Sequence, residues 1–225
     1  MPKTNSRVSN LNDSHAESPA TAFRTAFVAK CHRLIGLAYQ SLDAAALNTA
    51  EETVITGLLV QAINRLIEAD GSPTWMEPFI ANDDPPQNTP GRQGKRRRRI
   101  DIEMVQIQRG TRPRFLFEAK RLNARATTAL YLGRDGLNLF ARGEYARAYG
   151  DAGMLGYIQT GDPDTWAKKI AKSLARNPKK HCVEKDGGLK AHSVVAELAF
   201  TYRSRHRRST VGDPITVIHT LLSFC

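Results

Sequence analysis

Glu118 and Lys120 stand two positions apart near the end of Arg114-Phe115-Leu116-Phe117-Glu118-Ala119-Lys120-Arg121-Leu122. This segment is dense in large apolar and aromatic residues and reads as a buried β-strand. Side chains alternate faces along a strand, so Leu116, Glu118 and Lys120 share one face and Phe115, Phe117 and Ala119 fill the other. Ionised groups at the end of an apolar strand lose hydration and persist there when paired or bound to a metal. Charges turned to solvent at a strand end are the plain alternative. An acidic strand precedes this one. In Ile100-Asp101-Ile102-Glu103-Met104-Val105, Asp101 and Glu103 share a face and Ile100, Ile102 and Met104 the opposite one. Arg109-Gly110-Thr111-Arg112-Pro113 between the two strands is a hairpin signal. Paired strands lie roughly 4.8 Å apart, so carboxylates facing one way from both can share a divalent cation. Oxygen ligands suit Mg2+, which binds through one or two carboxylates plus a phosphate. Lys120 beside it can orient or deprotonate a water, or stabilise charge on phosphoryl oxygens.

The elements that must position these groups are legible around them. Phe23, Phe27, Cys31, Leu34 and Ala38 recur at spacings of three and four, which predicts a helix over 20–42. A second helix runs to about Ala69, capped by Asn48 or Thr49, with Ile55, Leu59, Ala62 or Ile63, and Leu66 as its stripe. Glu52 precedes Ile55 by three residues, so it borders the face turned to the sheet and can reach the carboxylates. A first-turn carboxylate that complements the helix dipole is its plain alternative. Gly71-Ser72-Pro73 ends the helix, Trp75 to Ile80 suits a strand, and Asn82 to Gly94 is a loop. Residues 135–149 read as helical, Gly153 to Thr160 as a short strand, and a helix starts at Asp162 or Asp164 and runs to about Arg176. Ala196 to Arg203 and Ile215 to Phe224 are closing strands. This order predicts an α/β fold, a mixed β-sheet flanked by helices, over residues 20–225. Residues 1–19 lack periodicity and read as a disordered tail.

The chain has 225 residues, enough for one α/β domain with a substantial core. Its 33 Lys and Arg against 22 Asp and Glu give a net charge of +11, which favours polyanionic partners, nucleic acid first. There is no apolar run long enough for a membrane span, and residues 1–20 lack the apolar stretch of a secretion signal. Cys31, Cys182 and Cys225 are scattered and odd in number, which fits a reducing cytoplasm and neither a disulfide framework nor a zinc site. There is no Walker A loop, GxGxxG, HExxH or CxxC.

Two segments are strongly basic. Arg92, Lys95, Arg96, Arg97, Arg98 and Arg99 feed into the Asp101 strand, either as a solvated loop or as phosphate contacts beside the carboxylates. Arg203, Arg205 and Arg207 share a strand face near the C-terminus, with His206 between them as an ordinary polar residue or a substrate contact. Lys168, Lys169, Lys172 and Arg176 form a solvated helix face, and Tyr131, Tyr145 and Tyr157 read as packing residues.

Asp101 followed after a hairpin by Glu118-Ala-Lys120, with a Glu in a preceding helix, resembles the PD-(D/E)XK nuclease superfamily, the restriction-endonuclease-like fold. Ile100 stands where the pattern has Pro. Glu52-Thr-Val-Ile-Thr56-Gly-Leu-Leu is similar to the entry helix of bacterial defence-type members. Gly136-Leu-Asn-Leu-Phe140 and Gly153-Met-Leu-Gly-Tyr157-Ile are similar to their middle section, and Ser204-Arg-His206-Arg and Ile215-Thr-Val-Ile-His219 to their closing strands. The resemblance covers residues 45–225 and implies a cytoplasmic, metal-dependent endonuclease that hydrolyses phosphodiester bonds, with DNA as the first substrate and RNA as the second, in defence against foreign or viral DNA. It implies Asp101 and Glu118 as ligands of Mg2+, with Mn2+ as a substitute, Lys120 as the catalytic lysine, and Glu52 assisting metal or water. Glu103 rivals Asp101, and Glu51 rivals Glu52. Arg96, Arg97, Arg98, Arg99, Arg205 and Arg207 would hold nucleic acid. A homodimer or a partner protein of a defence system is compatible with it. The rival classes are a non-catalytic nucleic-acid-binding module and an interaction subunit of a larger defence complex.

Overall fold

Helix α1 (Pro19–Gln40) starts where Ser18 accepts a hydrogen bond from the Thr21 N–H and Pro19 supplies a preset φ for the first turn. The computed structural model describes residues 18–87, 94–108, 110, 112–208 and 210–225. Residues 1–17 of the expected tail, Arg92 of the basic run, and Arg109 and Thr111 of the hairpin connection lie outside these. Of the α1 stripe, Phe27, Cys31, Leu34 and Ala38 are buried and Phe23 is exposed. Helix α2 (Glu52–Glu68) starts later than its expected cap, because Ala45–Leu47 forms a short 3-10 turn that ends at Asn48. Glu51 occupies the cap position without a side-chain bond to the helix. Ile55, Leu59, Ala62 and Ile63 are buried as the stripe requires.

Seven strands form one mixed sheet: β1 (Phe79–Asp83), β2 (Ile102–Gln106), β3 (Arg114–Leu122), β4 (Asp151–Ile158), β5 (Lys190–Ala191), β6 (Thr201–His206) and β7 (Ile215–Ser223), in the order β1-β2-β3-β4-β7-β6-β5. Strands β3, β4 and β7 run parallel at the centre. On one side β2 and β1 continue antiparallel, and on the other β6 and β5 do so. Helices α1 and α2 cover one face, with Phe115, Phe117, Ala119, Ile102 and Met104 beneath them. Short helices α3 (Thr128–Tyr131) and α4 (Leu137–Ala141), and the longer α5 (Pro163–Arg176), cover the other face over Leu116, Leu122, Met154 and Val217. The fold is thus an α/β mixed sheet flanked by helices.

Central strand β4 is buried on both faces, as a parallel strand between helix layers must be. Its two glycines are demanded by packing. A Cβ on Gly153 would collide with the Phe117 ring, and one on Gly156 would sit 2.7 Å from Leu221. Gly153→Ala is therefore expected to destabilise the fold by about 1–3 kcal/mol, the usual cost of overpacking. A thermal melt checks this, and an unchanged midpoint would show that the ring moves aside freely.

Several element limits differ from the sequence reading. Residues 74–78 form turns, so the strand expected at Trp75 to Ile80 begins at Phe79. The 135–149 helix is confined to α4, because Gly143 takes φ +68 against Thr210 and Val211. Strand β6 begins at Thr201 and not Ala196, where its pairing with β7 begins. Ile100 does not share a face with Ile102 and Met104: the chain bends at Asp101, and Ile100 joins Leu116 in the opposite core. No described helix is long and apolar enough to cross a membrane.

Candidate active site

The Asp101 bend decides the site. Pairing of Ile102 with Phe117 places Asp101 opposite Glu118, just before β2 becomes regular. The Ala119 N–H donates to Asp101 Oδ2 at 2.6 Å, so the carboxylate substitutes for a ladder acceptor where the two strands part. Lys120 Nζ lies 2.9 Å from Glu118 Oε1, 2.9 Å from Glu52 Oε1 and 3.8 Å from Asp101 Oδ2. It also donates to the Ala119 carbonyl at 2.6 Å. Glu52 Oε2 accepts from the Arg121 N–H at 3.0 Å, which ties the start of α2 to the end of β3. Glu52 therefore gives both oxygens to β3 and does not cap its own helix.

Four residues expected at the site from sequence, Glu52, Asp101, Glu118 and Lys120, are thus brought together around one ammonium. Their rivals are not. Glu103 turns to Arg114 at 3.1 Å, and Glu51 lies out at the surface with Arg121 at 2.6 Å.

Electrostatically the cluster is unbalanced. Three carboxylates face one ammonium, and the side chains of Glu118 and Lys120 are 6% and 15% exposed. Burial pushes Glu118 up to about 8, with Asp101 adding to the rise. Burial likewise raises Asp101 to about 6, against the pull of Lys120 and the Ala119 N–H. For Lys120, burial opposes the charge, but Glu118, Asp101 and Glu52 outweigh it and its pKa is raised. Glu118 Oε2 is buried with no hydrogen-bond partner among the described residues. A buried, unpartnered carboxylate oxygen in a cluster with excess negative charge suits a hard cation. Asp101 and Glu118 are the residues that would hold it. Among the described residues no three His, Cys, Asp or Glu side chains are already arranged to close on one ion, and Lys120 fills the ion-pairing role between the carboxylates.

The basic residues divide. Arg98 is engaged with Glu144 at 2.6 Å and Asp135 at 3.4 Å, and Arg99 with Asp84 at 2.5 Å. Arg96 is exposed and Arg97 half-buried, and neither forms an ion pair among the described residues. Arg205 and Arg207 are exposed but are not brought to the cluster. Arg205 pairs in register with Thr216, and Lys120 with Gly156 and hence Leu221, five residues along and three strands across. That separation is roughly 20 Å. His206 is not available to a substrate. It is buried and bonded to Ser204 Oγ at 2.6 Å and to the His181 carbonyl at 2.7 Å.

Sequence reasoning missed Asp84 and Tyr145. Asp84 adds to the rise at Asp101 and anchors Arg99, while the Tyr145 hydroxyl donates to the Arg99 carbonyl at 2.5 Å. The signal for Asp84 was its place at the end of a strand paired with the Asp101 segment. Tyr145 had no local signal. Comparison with protein-family models, curated proteins and solved structures returns no match.

Proposed function

We propose that this chain is a metal-dependent nuclease of the PD-(D/E)XK type, acting on DNA in the cytoplasm and serving bacterial defence against foreign DNA. The observation that carries the reading is the convergence of Glu52, Asp101 and Glu118 on Lys120, with one Glu118 oxygen buried and unpartnered. Asp101 and Glu118 would hold Mg2+, or Mn2+ in its place, and that ion would supply Lewis-acid chemistry at the phosphoryl group and a more acidic water. The chain's own residues do the rest. Lys120 remains an ammonium amid its carboxylates, so its part is to stabilise charge on phosphoryl oxygens and not to abstract a proton. Glu52 fixes the Lys120 head by a bond that also pins the Arg121 backbone, so the ammonium is held in place before a substrate arrives. Arg96 and Arg97, on the segment leading into Asp101, contact phosphates without reading sequence.

Plasmid DNA incubated with the protein and Mg2+ or Mn2+ tests the reading. Wild type is expected to cleave. Lys120→Ala and Asp101→Asn are expected to lose at least a hundredfold in rate while still binding duplex in EDTA. The size follows from losing one charge-stabilising group or one metal ligand. No cleavage by wild type with any divalent cation would sink the nuclease reading and favour a binding module or an interaction subunit.

A further inference from the structure

Lys190 and Arg203 are direct cross-strand partners in the β5–β6 pair, so their side chains leave the same face of the sheet. Like charges placed directly opposite destabilise a sheet. Both are exposed, and neither forms an ion pair among the described residues. Lys185 beside them is also exposed and forms no ion pair among the described residues. Asp186 also lines the cleft they form, but it lies within ion-pair distance of none of the three. Arg205 next to them is already neutralised by Glu184 at 2.5 Å.

These cations line a cleft of about 210 Å³ between β6 and the loop before β5. The cleft wall is fixed in place. Arg205 N–H donates to the Gly187 carbonyl at 2.8 Å, and Glu184 N–H donates to the Arg205 carbonyl at 3.0 Å. A Cβ on Gly187 would lie 2.5 Å from that Arg205 oxygen, so glycine there is what lets the loop close on the strand. Gly188 has no such reason. It avoids the left-handed region, and a Cβ there would meet nothing within 4 Å. The missing side chain leaves the backbone open to whatever enters the cleft.

We propose that this cleft is a second phosphate-binding site, formed by Lys185, Lys190 and Arg203 with the Gly187-Gly188 backbone, that grips the phosphodiester backbone of a nucleic-acid duplex. It lies apart from the acidic cluster. Arg203 pairs with Ile218, three residues along and three strands across from the rung of Lys120. A phosphate placed between Lys190 and Arg203 relieves their mutual repulsion, so binding gains what the free sheet loses. The choice of duplex as ligand rests on the nuclease reading, but the test does not need cleavage.

Binding of a fluorescent duplex of about 20 base pairs to the full chain is measured in EDTA across a salt series. Lys190→Thr/Arg203→Thr is expected to weaken binding at least tenfold and to lower the salt slope by about 2, the counterion release of two phosphate contacts. Lys190→Arg/Arg203→Lys keeps both charges and should bind as wild type does. Without DNA, Lys190→Thr alone should raise the melting midpoint by about 1–3 °C, because one of two facing charges is gone. Unchanged affinity and slope in the double Thr variant would overturn the proposal. Full displacement of the duplex by millimolar inorganic phosphate would overturn it as well, by showing a site for a small anion. Failure of cleavage with this slope change intact would remove the nuclease reading and leave the cleft standing.

Discussion

Replacing Glu118 with Gln is expected to raise the melting temperature of the metal-free protein at pH 8 by about 8–16 °C while abolishing the proposed metal-dependent cleavage. The carboxyl of Glu118 is pushed up to about 8 by burial and by Asp101. A group whose folded pKa lies above its unfolded value stabilises the fold fully below the unfolded value, and that stability is lost as pH rises through the folded one. Metal-free wild type should therefore lose stability between about pH 5 and pH 8, and Asp101, raised to about 6, adds to the loss in the lower part of that window. The amide introduced by Glu118→Gln carries no charge and escapes the Glu118 part of it. The difference is about 4 kcal/mol at pH 8 and falls below about 1 kcal/mol toward pH 5. For a chain of this length that corresponds to the stated shift in midpoint. On the proposed metal-dependent reading Mg2+ should reverse the order, because it would bind the native carboxylates of wild type and raise that midpoint alone. A Glu118→Gln variant that melts lower than wild type at pH 8, or that keeps the full Mg2+ shift, would contradict this account of the cluster.

Acid should unfold the protein through three buried histidines. His32, His206 and His219 are all fully buried, and burial pulls them down to about 4, about 4 and about 3. His219 lies between the Tyr131 hydroxyl at 3.0 Å and Ser204 Oγ at 2.7 Å, and Ser204 also bonds His206. His32 bonds the Val28 carbonyl and packs edge-on against Phe115 and Phe117. Here the folded pKa lies below the unfolded one, near 6.5, so the unfolded chain binds more protons in between. Stability is complete above about pH 6.5 and falls as pH drops toward 4. Three such groups together cost on the order of 5 kcal/mol between pH 7 and pH 5, comparable to the whole stability of many domains. Urea melts at pH 7, 6 and 5 measure this. His32→Leu should remove close to one proton from the dependence, flattening it by about 1.4 kcal/mol per pH unit below pH 5.5. An unchanged slope in that variant would mean that His32 is not neutral in the fold. With the carboxylates acting in the opposite direction, the metal-free protein should be most stable between about pH 6.5 and pH 7.

The faces of β3 were readable from alternation alone: Phe115 and Phe117 enter one core and Leu116 the other. The meeting of Glu52 with Lys120 was also legible, because the stripe of α2 fixes which way its first turn points. Alternation failed at Ile100 and Asp101. The bend there comes from Asp101 taking over a backbone acceptor's role, and a side chain in that role leaves no trace in a hydropathy pattern. Tertiary pairing overrode local propensity in β6, whose limits follow β7. The partners within the charge run were hidden. Arg98 and Arg99 look identical to Arg96 in sequence, but their acidic partners come from residues 15 to 46 positions away. The opposition of Lys190 and Arg203 depends on a two-residue strand too short to have any period.

The Ala119–Asp101 hydrogen bond has a consequence for how the chemistry could be lost in descent. A carboxylate that closes a rung of the sheet resists replacement by most residues, since Ala or Ser would leave the Ala119 amide without its acceptor. Asn is the exception, because its amide oxygen fits the same place with the negative charge removed. If the proposed nuclease function holds, an inert descendant with its architecture whole is therefore one isosteric substitution away. On that reading, the same change made in the laboratory would yield a decoy that seizes its target and holds it uncut.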